Sequence, residues 1–188
     1  MDAIVVGASA GGIDAVRRLL SRLSAGSRAA VLVVIHIPEN HRSFLSEVLR
    51  AGCALPIREA QDKEPIRGGE VVVAPPGYHL LVASATECAL SIDPPVLFSR
   101  PAIDVLFVSA ADVFGDRLAG VVLTGSSADG ARGLAAIGAA GGVTLVQDPS
   151  TAEAARMPLA AIAAWRPDEV GPIERLGDRL AQLAGEGT

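Results

Sequence analysis

Aromatic side chains make up 3% of the 188 residues, cysteine occurs twice, and Lys63 is the only lysine among 16 basic residues. Each scarcity excludes something. So few aromatics leave the core to be built from Val, Leu, Ile and Ala. Cys53 and Cys88 are too few for a disulfide framework or a cysteine-based metal site, and read as ordinary thiols of a reducing cytoplasm. Clustered basic residues are missing and the net charge is −5, which argues against a general nucleic-acid binder. Long apolar runs are missing too. Ala29–Ile35 and the glycine-broken Gly133–Val146 fall short of the ~18–20 residues a membrane span needs, although mean hydropathy is +0.41. Met-Asp leads directly into a short apolar run with no basic region before it, so neither a secretory leader nor membrane insertion is expected.

What is present is half hydrophobic, enough to exclude a disordered chain, and the length supports one domain over residues 1–188. Ala3–Val6 reads as a short strand ended by Gly7, and Ile13, Val16, Leu19, Leu20 and Leu23 follow at helical spacing. Val31–Ile35 is β-branched at nearly every position, which suits a strand buried on both faces. Pro38 stops it, and Phe44, Leu45, Val48 and Leu49 suggest a short helix. Glu70–Ala74, Tyr78–Ala83 and Glu87–Ile92 read as strands that include a hairpin. A helix is expected from Ser99-Arg100-Pro101 to about Phe114, with Pro101 and Asp104 suited to its first turn. Ala119–Leu123 and Val143–Val146 read as further strands. Helices are expected over Asp129–Ala140, around Leu159–Ala164 and over Ile173–Leu183. The alternation implies an α/β fold: a doubly wound, mostly parallel sheet with helices on both faces and a small antiparallel hairpin.

In such sheets ligands bind beyond the carboxyl ends of the strands, so polar residues just after buried strands are the ones to question. Ser9 sits in Gly7-Ala8-Ser9-Ala10-Gly11-Gly12, between the first strand and the first helix. Gly7-x-Ser9-x-Gly11 has the spacing of a nucleophile elbow, where glycines let a serine stand exposed on a sharp turn. The same segment also fits a phosphate-binding loop or a helix cap, although position 9 breaks the G-x-G-x-x-G dinucleotide pattern. His36 ends the second strand, where it is either a base or a packed histidine held by backbone. Asp129 follows the third buried strand, where it either orients a base or caps the next helix. His41 and His79 look exposed. A hydroxyl, an imidazole and a carboxylate converging at one sheet edge is the arrangement for acyl transfer. With one strand before Ser9, the order Ser, His, Asp is not that of the α/β-hydrolases.

Six ordered blocks carry a resemblance to the catalytic domain of bacterial chemotaxis methylesterases, the CheB or protein-glutamate methylesterase family. They are Val5–Gly12, His36-Ile37-Pro38 with Ser43-Phe44, Ala74–Leu80, Arg100–Phe107, Leu123-Thr124-Gly125 through Ala131, and Gln147-Asp148-Pro149. The resemblance implies a Ser9, His36, Asp129 triad acting on glutamate methyl esters of chemoreceptor cytoplasmic helices, and on glutamine side chains there. It implies oxyanion donors near Ala10, Gly11 and Gly12 and near Ser126, with no metal and no cofactor. Ala10 stands where the family has Thr, Ser126-Ser127-Ala128 where it has Met-Gly-Asn, and Arg156 where it has Gly. The segment after His36 is one residue shorter than in the family and lacks its Phe-Thr. These changes line the implied cleft and bear on the substrate more than on the triad. Arg100 and Asp104 lie in a segment that the resemblance brings to the active-site edge, though both read as helix-start residues, and His79 as a surface loop residue. In the family a receiver domain usually precedes the esterase. Ser9 lies too close to the start for one, so control is expected from a separate response regulator or other signalling partner, or not at all. A non-catalytic interaction module that keeps the fold and a phosphate- or nucleotide-binding domain are the competing readings.

Overall fold

The computed structural model describes residues 1–37 and 44–185. Pro38, His41 and Ser43, singled out in the sequence, lie outside the described residues. The chain opens with β1 (Ala3–Ala8), α1 (Gly12–Leu20), β2 (Ala30–Ile35) and α2 (Leu45–Arg50). Four strands follow: β3 (Ile57–Glu59), β4 (Val71–Val73), β5 (His79–Ser84) and β6 (Glu87–Ser91). Next come α3 (Ile103–Phe114), β7 (Leu118–Val122), α4 (Ala131–Ala139) and β8 (Val143–Gln147). The chain closes with α5 (Arg156–Ala164), β9 (Glu169–Gly171) and α6 (Ile173–Leu183).

Seven strands form one sheet in the order β3-β4-β2-β1-β7-β8-β9, and every pairing in it is parallel. β5 and β6 form a separate antiparallel hairpin. The sheet is parallel because its central strands are apolar on both faces and each is followed by a helix that must cover one of them. Alternation within β1 divides the core. Ile4, Val6 and Ala8 pack with α1, α2 and α6, whereas Ala3 and Val5 pack with α3, α4, α5 and the hairpin. β2 divides the same way, with Val31, Val33 and Ile35 on the first face and Ala30, Leu32 and Val34 on the second.

Register decides what meets at the carboxyl edge. Ala8 pairs with Ile35 and Gly7 with Val122, so β1, β2 and β7 run out at nearly one level. The amide of His36 donates to Ala8 O at 3.0 Å, and that of Ser9 to Thr124 O at 2.9 Å. The residues that follow the three strands therefore start side by side.

Two expectations need correction, and a third needs extension. His79 is not a surface residue: it is 1% exposed, its Nδ1 accepts from the Ala102 amide at 3.1 Å, and Nε2 lies 3.2 Å from Pro94 O. It ties the hairpin to the entry of α3. That helix begins at Ile103, so Pro101 precedes it rather than occupying its first turn. Asp104 does sit in the first turn, but its buried carboxylate reaches across to the start of α4, accepting from the amides of Gly130 and Gly133 at 3.0 and 2.7 Å.

Candidate active site

β1 delivers Ser9, β2 delivers His36, and the loop after β7 delivers Asp129. Asp129 is fully buried and its carboxylate takes three donors. Oδ2 lies 2.8 Å from His36 Nε2 and accepts from the Ile103 amide at 2.6 Å, while Oδ1 accepts from the Asp104 amide at 2.9 Å. It thus caps α3 rather than α4, and the positive end of the α3 dipole faces the negative group. A carboxylate can only accept, so in the neutral ring the proton is on Nε2 and the lone pair on Nδ1. The His36 side chain is 12% exposed.

Ser9, Gly11, Gly12 and His36 line one cavity of about 220 Å³. No hydrogen bond joins Ser9 to His36. Nδ1 lies 3.3 Å from the hydroxyl oxygen of Ser99 instead, a residue the sequence did not point to. The first turn of α1 has Gly11 at its cap, with φ +72 and no side-chain cap, so the Ser9 hydroxyl is not spent on capping. A β-carbon at Gly11 would stand 2.6 Å from Glu153 Oε2. A carboxylate already pressed against this turn repels a phosphate, which weakens the phosphate-loop reading. The Gly12 amide donates to Ser9 O at 2.7 Å, while the amides of Ala10 and Gly11 have no acceptor among the described residues. Ser126 lines a separate cavity of about 290 Å³ with Leu97, Phe98 and Arg156.

Two residues hold the serine loop that sequence reasoning did not single out. Buried Thr124 donates from Oγ1 to Ala10 O and accepts from the Ala154 amide, both at 2.9 Å. Gly125 allows close approach: a β-carbon there would lie 2.7 Å from Met157 Sδ and 2.9 Å from Ser9 Cβ. Arg100 is anchored by its guanidinium to the carbonyls of Ile92 and Asp93 at 3.0 and 3.2 Å. Burial pushes the thiols of Cys53 and Cys88 up, away from the reactive thiolate. Among the described residues no three His, Cys, Asp or Glu side chains cluster closely enough to hold a metal ion. No helix among them is long and apolar enough to cross a membrane.

The family model described as CheB methylesterase matches residues 4–180. The chain belongs to the CheB methylesterase family. A Leptospira interrogans relative is 43% identical over 182 residues, which cover 97% of this chain and 94% of the relative. A Symbiobacterium thermophilum relative, named protein-glutamate methylesterase/protein-glutamine glutaminase, is 40% identical over 98% of this chain and 51% of its own length. This CheB-family chain thus spans about half of that longer relative. Among solved structures, the Thermotoga maritima CheB methylesterase catalytic domain superposes with a TM-score of 0.92 at 27% identity, covering 97% of this chain and 98% of that one.

Proposed function

We propose that this chain is a serine esterase that demethylates glutamate methyl esters on chemoreceptor cytoplasmic helices, releasing methanol, and deamidates glutamine side chains there. The carrying observation is the 2.8 Å bond from buried Asp129 to His36 on the sheet edge where Ser9 begins the neighbouring loop. Membership of the CheB methylesterase family and the name of its Symbiobacterium thermophilum relative, protein-glutamate methylesterase/protein-glutamine glutaminase, support the substrate class.

In this reading Ser9 Oγ attacks the ester carbonyl as its proton passes to His36 Nδ1, the nitrogen that Asp129 leaves free. The resulting imidazolium is stabilised by the Asp129 carboxylate. The tetrahedral oxyanion is met by the amides of Ala10 and Gly11 at the start of α1, which have no acceptor among the described residues. Gly12 serves by closing the Ser9 turn, and Ser126 borders the neighbouring cavity. The C–O bond breaks and methanol leaves with the proton from Nδ1. Water then attacks the glutamyl-Ser9 ester, gives its proton to Nδ1, and the proton returns to Ser9 as glutamate departs. No step calls for a metal or cofactor.

Residues 1–188 act as one catalytic domain, in the cytoplasm where the receptor helices lie. Methanol release from methylated receptor, compared between wild type and Ser9→Ala, tests the reading: loss in the variant supports it. The missing Ser9–His36 hydrogen bond is what favours the second reading, an interaction module that binds the receptor without hydrolysis. Receptor binding without methanol release by either protein would establish it.

A further inference from the structure

The imidazole of His36 has a partner on each side. Asp129 occupies Nε2 at 2.8 Å, and Ser99 Oγ stands 3.3 Å from Nδ1. With the proton on Nε2, the Ser99 hydroxyl donates to the Nδ1 lone pair. That lone pair is the one that must accept the Ser9 proton.

Ser99 is not placed there by a loose loop. The backbones of Val96 and Ser99 exchange two hydrogen bonds, at 3.1 and 2.9 Å, and close a tight turn around Leu97 and Phe98. Those two central residues have φ of +48° and +66°, the left-handed region that such two-residue turns normally fill with Asn and Gly. A bulky apolar residue is rare in that conformation. Packing does not repay it, because Phe98 is fully exposed and Leu97 is half exposed. Strain held next to a catalytic base, with no core to compensate for it, marks a position fixed for a purpose. What the turn fixes is the hydroxyl on His36.

We propose that Ser99 is a positioning residue for His36. Its hydroxyl holds the ring against Asp129 at rest and yields Nδ1 to Ser9 when Ser9 reacts. Once Ser9 has passed its proton to Nδ1, the Ser99 hydroxyl turns about its C–O bond and accepts from the new Nδ1–H. No bond to Ser99 is made or broken. This rests on the esterase reading above, with Ser9 as nucleophile.

The test uses the full chain with Ser99→Ala, Ser99→Thr and Ser9→Ala. Methanol release from methylated receptor is measured alongside the ¹⁵N resonances of His36 in the resting protein. Ser99→Ala is expected to lower kcat by ~10-fold with KM within ~2-fold, the pattern of a misoriented base rather than weakened binding. Its Nδ1 resonance should move while that of Nε2 stays, and Ser99→Thr, which keeps the hydroxyl, should restore both kcat and the resonance. Unchanged kcat and an unmoved Nδ1 resonance in Ser99→Ala, with Ser9→Ala inactive, would overturn the positioning role and leave the esterase reading standing. A serine-directed fluorophosphonate that attaches to Ser99 rather than Ser9 would overturn it differently, by making Ser99 the nucleophile. Full activity in Ser9→Ala would remove the esterase reading itself.

Discussion

Asp104 and Asp129 cap each other's helices. The Asp129 carboxylate, just before α4, takes the first amides of α3, while the Asp104 carboxylate, in the first turn of α3, takes the first amides of α4. The exchange locks the two helix starts together and leaves one Asp129 oxygen shared with His36. The orientation of His36 is therefore tied to the packing of α3 on α4.

Asp129→Asn should be far more damaging to activity than to the fold. An amide in place of the carboxylate must turn its NH₂ toward at least one of the three donors, which disturbs the tautomer of His36. The expected loss in kcat is ~10³–10⁴-fold, the scale seen when a triad aspartate loses its charge. Unfolding in urea should show a loss of about 1–3 kcal/mol from the donor left unpaired. Activity within threefold of wild type would contradict the assignment.

The Asp104 carboxyl is raised above its ordinary value, first by burial and, among the smaller causes, by the nearby Asp129 charge, while the Gly133 and Gly130 amides and Arg132 oppose the rise. A raised group stabilises the fold fully at pH below its unfolded value, and that contribution is lost as pH climbs through the folded value. Asp104→Asn keeps an acceptor for both glycine amides but cannot ionise. Relative to wild type it should therefore gain stability as pH rises from about 3.5 to 7, judged against the ordinary aspartate range. Urea unfolding across that window checks it, and a flat or falling difference would contradict it.

Thr124→Val keeps the shape but removes the hydroxyl that joins Ala10 O to the Ala154 amide. A donor stranded at this part-buried site costs at most about 1–3 kcal/mol, so the melting temperature should fall, whereas Thr124→Ser should hold it. Equal melting for the Val and wild-type proteins would show that the clamp contributes nothing.

Gly125→Ala forces a methyl against Met157 Sδ and Ser9 Cβ. Overpacking of this kind costs about 1–3 kcal/mol and displaces the serine loop, so kcat should drop by at least ~10-fold. Unchanged kcat in a folded variant would show that Ser9 does not need this close approach.

The central strands were legible because burial on both faces writes an uninterrupted apolar run rich in Val and Ile, as in Val31–Ile35, and the glycines after β1 marked the serine turn. β3 and β9 were not legible. Each is three residues long, and their Arg58, Glu59 and Glu169 carry no apolar run. Ser9, His36 and Asp129 stood out because each follows a buried strand. The second role of Asp129, the cap on α3, is invisible locally, since Ile103 lies 26 residues away and only the fold joins them. The same holds for Ser99, 63 residues from His36, and for His79, which follows the Pro75-Pro76-Gly77 turn and whose burial comes from the α3 entry far along the chain.

The central claim is that Ser9 is the nucleophile that His36 activates. Incubating the protein with a serine-directed fluorophosphonate, then locating the adduct by peptide mass spectrometry in wild type, Ser9→Ala and His36→Gln, tests it most directly. The account predicts one adduct, on Ser9, absent from Ser9→Ala and formed at least ~10²-fold more slowly in His36→Gln. An adduct on another serine, or labelling of Ser9 at the same rate without His36, would contradict it.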